Sequence, residues 1–504
     1  MLWFTFSSAF ALPHLEGKHC GTLSQLQNSG PLLRPEDIPK ITGNKSSKQE
    51  RDAVCNCPNF VASDNFIVKW GTGVSESQAQ DILDAFETAW EVEVEQMGYL
   101  QPTATEQYLF NVYIGDSGSG TPQSYGAAGY FSGDEEGYPM IVIAKETVGS
   151  DFMAQTVAHE FFHAIQGRVY RYNYDETKSS AWYWEATANW AEGQVYPGRG
   201  SMAGFLIGYS FLPHLPVNYF NYPDSGSVDE YHQYGAFIFP LHLSEIEADV
   251  ELIWHSWNDP GSEEDPMEVL DYYLQDYGTD INQSWLNHIA HMSVWDYQEG
   301  QIFKQTIEAY QPHYPEGDNL PAATVGSSGT GGWIDGPADL APMRYGHNTV
   351  FATNLSASEV TFGIRGEAQG TNGSPAQYGA TLTRKNGSQI DYFPIEFENG
   401  EGLVTIASVS PSDEFYLTIG AWTQSWNSSF VYSETFPYQY IIGSETEASE
   451  PSAEPDSPEE SSFGSGFGLE KEEESLFSGC ATATPLSSWA LLGLVGFVGR
   501  RRRV

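Results

Sequence analysis

The sequence predicts an α+β domain followed by an all-β, sandwich-like domain. Between residues 61 and 310, short apolar runs of strand length alternate with longer segments of helical periodicity. From about residue 346 to 443 the pattern changes to apolar residues at every second position, with turn residues between the runs. At 504 residues, 40% hydrophobic and 14% aromatic, the chain has material for two or three packed cores and is not a disordered protein.

In the first domain, Phe66–Trp70, Tyr108–Ile114 and Met140–Ala144 read as strands, with an amphipathic helix over Glu76–Met97 between the first two. Tyr125–Phe131 reads either as an edge strand beside a cleft, where an extended substrate pairs by β-augmentation, or as a Gly-rich loop. Ala154, Val157, Ala158, Phe161, Phe162 and Ile165 form a stripe at helical spacing, which predicts a half-buried helix with Ser150 as N-cap and Gly167 as its stop. Ser179 or Ser180 caps a second helix that ends at Gly193. Tyr231–Pro240 opens a further helical region, and Asp280–Trp295, carrying His288 and His291 in structural roles, reads as another helix. Residues 311–345 connect this part to the sandwich-like domain, where Val360, Phe362, Ile364 and Phe415, Leu417, Ile419 show the alternation.

The helix with the Ala154–Ile165 stripe carries His159-Glu-Phe-Phe-His163. Residues four apart share one helix face, so both histidines can offer a ring nitrogen to one zinc ion at about 2.0 to 2.1 Å. Glu160 points about 100° round the helix and can face a water instead. A catalytic zinc needs a third protein ligand and an open fourth position. Glu185, 22 residues after His163 on the second helix, is the candidate, with Glu192 the next along a similar face. Asn189, four residues after Glu185, can hold a ligand histidine by its other ring nitrogen. Gln166 and Val169 stand where the extended metzincin pattern needs glycine and histidine, which excludes that class. Tyr231, His232 and Tyr234 are candidate donors to a developing oxyanion, and packed aromatics are the plainer reading of each.

With His159-Glu-Phe-Phe-His-Ala-Ile-Gln166 and Trp184-Glu-Ala-Thr-Ala-Asn-Trp-Ala-Glu192, the chain resembles the gluzincin metallopeptidases, the thermolysin-like class, and more closely the surface metalloproteases of myxobacteria. The resemblance implies a zincin-like catalytic domain over residues 61–310, with one zinc on His159, His163 and Glu185. It also implies Glu160 as general base, and a polypeptide as substrate. Asn189 departs from the pattern, since thermolysin-like enzymes carry aspartate there. Two other readings stay open: a surface binding or adhesion protein with a non-catalytic metal site, and a zinc-dependent amidase or deacylase.

Lys and Arg number 22 against 67 Asp and Glu, a formal charge of -45, which opposes binding to nucleic acid or anionic lipid. Bound calcium is one reading of the acidity, a soluble acidic surface the other. Residues 1–11 resemble a signal-peptide core, although no basic residue precedes it, and 12–60 read as a pro-region or N-terminal extension. There, in an oxidising compartment, Cys20 can pair with Cys55 or Cys57. Residues 444–478 form an acidic linker unable to bury a core. In residues 479–504, Cys480, a short apolar run and Arg500–Arg503 resemble a myxobacterial C-terminal sorting signal. That resemblance implies export, C-terminal processing near Cys480 and membrane or cell-surface retention.

Overall fold

A computed structural model describes residues 20–448 except 30, 40–47, 52–53, 119, 170, 173, 175–179, 199, 201, 223–227, 260, 262–263, 314–320 and 424–433. The expected signal peptide, nearly all of the acidic linker, Cys480 and the sorting segment lie outside the described residues, as does Ser179.

The architecture is mixed α+β, with three five-stranded sheets. The first is built from β1 (Asn59–Ala62), β2 (Phe66–Trp70), β3 (Phe110–Gly115), β4 (Gly129–Gly133) and β5 (Pro139–Ala144), in the order β1-β2-β3-β5-β4. Strands β2, β3 and β5 run parallel, and every residue in them is buried, as mostly apolar runs favour when both faces are covered, with Lys69 and Asn111 the polar exceptions. Strand β4 pairs antiparallel with β5 and forms one edge. The edge strand therefore begins at Gly129. Tyr125, with φ of 56°, lies in the preceding loop.

Helices follow from their caps and apolar faces. A short α1 (Thr22–Asn28) precedes the sheet. In α2 (Glu76–Ala89), Ser75 and Gln78 form a reciprocal capping box, and Ala79, Ile82, Leu83 and Phe86 face the core. The helix continues as a π-turn over Trp90–Gln96, so the expected helix to Met97 is present with a wider last turn that swings Glu93 inward. Then come α3 (Met153–Val169) and α4 (Ala181–Val195). Both are buried nearly all round, not half-buried, because further helices cover the face that a two-layer arrangement would leave to solvent. Phe161 of α3 meets Phe66, Phe86, Trp90 and Phe110 at ring separations of 5.3 to 6.4 Å and locks α3 to sheet and α2. Neither expected glycine stop ends its helix. Gly167 lies inside α3, where a Cβ would sit 2.7 Å from the Phe131 ring, and Gly193 lies inside α4 against Met202. Ser150 belongs to the preceding turn, its hydroxyl donating to the Thr147 carbonyl at 2.7 Å.

The covering helices are α5 (Leu206–Ser210), α6 (His232–Gly235), α7 (Ile238–His242), α8 (Val250–Asn258), α9 (Pro266–Leu274), α10 (Ile281–Val294) and α11 (Gly300–Tyr310). Asp280 caps α10 by accepting from the Asn282 and Gln283 amides.

The remaining sheets face each other. Strands β6 (Pro321–Val325), β7 (Ile334–Asp335), β8 (Gly346–Thr353), β9 (Glu359–Gly366), β10 (Ala376–Asn386), β11 (Gln389–Ile395), β12 (Phe397–Glu398), β13 (Glu401–Ala407), β14 (Glu414–Thr423) and β15 (Tyr438–Gly443) order as β11-β10-β14-β8-β6 and β12-β13-β9-β15-β7. Phe362 of β9 and Phe415 of β14 meet between them at 5.0 Å. The segment expected to be a mere connection thus supplies β6 and β7. The sandwich rests on α10: Tyr345 donates to Asn282 at 2.6 Å, and Tyr392 to Asp296, just beyond the helix, at 2.8 Å.

Candidate metal centre and active site

His159 and His163 stand one turn apart on α3, with their Nε2 atoms 3.1 Å from each other. Glu185 of α4 brings Oε2 to 3.2 Å from His159 Nε2 and 3.6 Å from His163 Nε2. Its other oxygen accepts from the Tyr174 hydroxyl. Three ligand atoms therefore converge on one point.

The outer ring nitrogens are held from behind. Asn189 Oδ1 lies 2.9 Å and Glu192 Oε1 3.1 Å from His159 Nδ1. Asn189 is oriented by donating its Nδ2 to the Tyr234 carbonyl at 3.0 Å. Gln166 Oε1 lies 2.6 Å from His163 Nδ1, while its Nε2 donates to the Trp184 carbonyl and Thr187 Oγ1 at 3.0 and 2.9 Å. Since oxygen acceptors face both Nδ1 atoms, those atoms carry protons, which leaves each Nε2 lone pair for a metal. Glu192 sits behind His159 and supports it, while Glu185 occupies the ligand side; Glu192 is also the carboxylate that the Asn189 departure seemed to remove.

Electrostatics describe the same cluster. Burial opposes the charged forms, yet the Cys20 thiol and the Glu185 carboxylate carry His163 up to about 10. His159 is likewise raised against burial by Cys20, Glu185 and Glu192. Glu185, also opposed by burial, is brought down to about 2 by the two histidines. A divalent cation held between these nitrogens and the carboxylate would compete with protons for the same positions. Two imidazoles and a carboxylate are a donor set that suits zinc.

Glu160 points elsewhere, into a cleft that it shares with Tyr234 and Asn189. Gly129 makes this approach possible: a Cβ there would stand 3.0 Å from Glu160 Cγ. Burial raises the Glu160 carboxyl above the usual range, against the pull of His159 and His163. Tyr234 lines the same cleft, its ring 6.3 Å from that of His159. Tyr231 and His232 are buried apart from it, the first against Phe205 and the second between Tyr209 and Tyr219. His288 packs against Tyr209, Phe239 and Trp285, away from the centre.

Four contributors escaped the sequence reading. Gln166, which closes the quoted motif segment without a role there, and Tyr174, which no motif marks, hold His163 and Glu185. Glu93, turned inward by the π-turn, is buried behind the centre, and burial pushes its carboxyl well up. Cys20 is the fourth. The expected pairing of Cys20 with Cys55 or Cys57 is corrected: Cys55 and Cys57 bond to each other and Cys20 is free and buried. Backbone pairing decides this, because a bridge between Cys20 and Gly129 fixes the N-terminal segment at β4. Cys20, His159, His163 and Glu185 have ligand atoms all within 4.8 Å of one another, forming the one such group among the described residues.

No curated protein matches this sequence. Among solved structures, a GH115 4-O-methyl-α-glucuronidase with specificity for decorated arabinogalactans aligns at 10% identity over 57% of this chain and 41% of its own, with a TM-score of 0.13. This chain thus spans about two fifths of that enzyme, and a likeness so weak bears on neither fold nor activity. Residues 35–447, which include both histidines, Glu160 and Glu185, match a family of unknown function, DUF6055, and the chain belongs to that family.

Proposed function

We propose that the chain is a zinc metallopeptidase of the gluzincin type, with a zincin-like catalytic domain that hydrolyses peptide bonds in polypeptide substrates. The observation that carries the reading is the convergence of His159 Nε2, His163 Nε2 and Glu185 Oε2 within 3.1 to 3.6 Å, with Glu160 beside them facing the cleft. Zinc bound there would polarise a carbonyl and acidify water. Glu160, buried and raised in pKa, is suited to take a proton from water and return it to a leaving amine. Asn189, Glu192 and Gln166 hold the histidines in the ligand tautomer. Tyr234, in the cleft beside His159, is the residue positioned to donate to substrate oxygen.

Export and surface retention belong to the same proposal. They rest on the order of acidic linker, Cys480, apolar run and terminal arginines. No described helix is long and apolar enough to cross a membrane.

The purified protein should hold one zinc per chain. Denatured protein should be cleaved, by the full chain or once the N-terminal segment is removed, and a chelator should abolish cleavage. Glu160→Gln should keep the zinc and lose about 10² to 10⁴ in rate. Wild-type turnover in that variant would refute the mechanism; zinc without cleavage in any form would favour a binding protein.

A further inference from the structure

We infer that residues 20–22 are a built-in plug that keeps the centre latent. The Cys20 thiol completes the metal donor set, and Thr22 occupies the general base. The inference rests on the metallopeptidase reading above and adds a regulatory segment to it.

A zinc that works on water keeps one of four positions open, whereas four protein ligands close the site. The described residues supply four. Cys20 is 3% exposed, and its sulfur belongs to the same group of ligand atoms as His159, His163 and Glu185. The general base is engaged by the same segment. Thr22 Oγ1 donates to Glu160 Oε2 at 2.9 Å and the Cys20 thiol points at that same oxygen at 3.6 Å.

The third element is the edge of the sheet. Strand β4 has one side free of β5, the side on which an extended peptide could pair. Here the chain itself takes it: the Gly21 amide donates to the Gly129 carbonyl at 2.9 Å, and the Phe131 amide donates to Thr22 Oγ1 at 2.8 Å. Gly21 is needed for this approach, since a Cβ would stand 2.9 Å from that of Ala127. Tyr222 donates to the Cys20 carbonyl at 2.7 Å, and Leu23 of α1 is buried in the main core. One tripeptide thus fills the metal position, the base and the strand-pairing edge at once. It also precedes residue 35, where the family match begins, so the plug lies outside the matched region. Displacing it, by proteolytic removal of the segment, opens all three positions together.

Cobalt substitution in the full chain tests this without relying on activity. Wild-type protein should bind one cobalt per chain and show a thiolate-to-cobalt charge-transfer band. Cys20→Ser should bind one cobalt and lose that band. On denatured protein, the zinc-loaded chain freed of residues 1–22 by proteolysis, which removes Cys20, Gly21 and Thr22 together, should exceed the wild type by about 10²-fold or more, the least that a positioned base supplies. Adding Glu160→Gln to that processed form should remove the gain. Cobalt bound without a thiolate band in the wild type would overturn the plug and leave the metal reading intact. A thiolate band in the wild type with no gain on removal of residues 1–22 would overturn latency. Failure of both proteins to bind cobalt would sink the metal reading and the plug with it. Should Cys20→Ser fold poorly, the wild-type spectrum still decides, together with alkylation at Cys20 read by peptide mass spectrometry. Modification should be faster after chelation, and equal rates with and without metal would count against the plug.

Discussion

In the proposed mechanism a single side chain at this centre does two jobs, ligation or proton transfer at its tip and recognition by its neighbours at its base. Glu185 shows the first most clearly, since one oxygen meets both histidines and the other is held by Tyr174. Gln166 shows the second, touching His163 with its oxygen and two α4 acceptors with its nitrogen. Loss of a ligand and loss of a support should therefore differ in size. Glu185→Gln should abolish tight zinc retention against a competing chelator. Gln166→Ala should leave a full site whose affinity is lower by about 10- to 100-fold. Competition titrations on the two variants would reverse this ranking if Gln166 were the true ligand.

At the scale of elements, α3 is set by what lies beneath it. Gly167 lets the helix approach β4 so closely that Phe131 packs directly on its backbone. Gly167→Ala would force the ring or the helix to move, at a cost of about 1 to 3 kcal/mol in stability, readable by denaturant unfolding. Unchanged stability would mean that the Phe131 ring yields freely. The C-terminal tail is an element of another kind, defined by order of composition alone. Truncation before Gly479 should release the protein into the medium with the metal centre unaffected. Identical partitioning of truncated and full-length forms between cells and medium would dismiss the sorting role.

Across the whole molecule, the helical part and the sandwich share a seam that contains neutral histidine. His347 of β8 lies 6.0 Å from the Trp285 ring of α10, and neither ring nitrogen has a hydrogen-bond partner. Burial, aided by His214, lowers it to about 3, and His232 is lowered to about 3 by the same two causes. A histidine whose folded pKa lies below its unfolded value of about 6.5 binds its proton first in the unfolded chain. Its stabilising effect is complete above pH 6.5 and is lost as the pH falls towards 3, at about 1.4 kcal/mol per pH unit for each histidine. Melting temperature should fall through that window, and more gently in His347→Gln. Equal slopes for the two proteins would show that His347 is not held neutral.

Elements whose signals are local can be read directly from neighbouring residues. Phe66–Trp70 matches β2 residue for residue, because four of its five residues are apolar and the fifth, Lys69, is buried with its ammonium donating to the Arg51 carbonyl. The α3 and α4 helices, and the alternation of β9 and β14, follow from period and composition. The spacing of His159 and His163 needs only helical geometry to bring the two rings together. Tertiary structure decided what depends on partners distant in the chain. Ser150, Gly167 and Gly193 read as helix boundaries, yet the close packing of Phe131 and Met202 against the two glycines explains them instead. A stripe on α3 suggested one wet face, but the covering helices left none. Glu192 and Asn189 share an α4 face with Glu185, and only the packing of α3 against α4 set which carboxylate meets Nε2 and which meets Nδ1. Cys20 lies 139 residues before His159, and no local signal links them; a strand-edge bridge to Gly129 does. Helical period and strand alternation are written in neighbouring residues, whereas Cys20 and Thr22 belong to a segment that reaches the histidines and Glu160 only when the sheet edge is built.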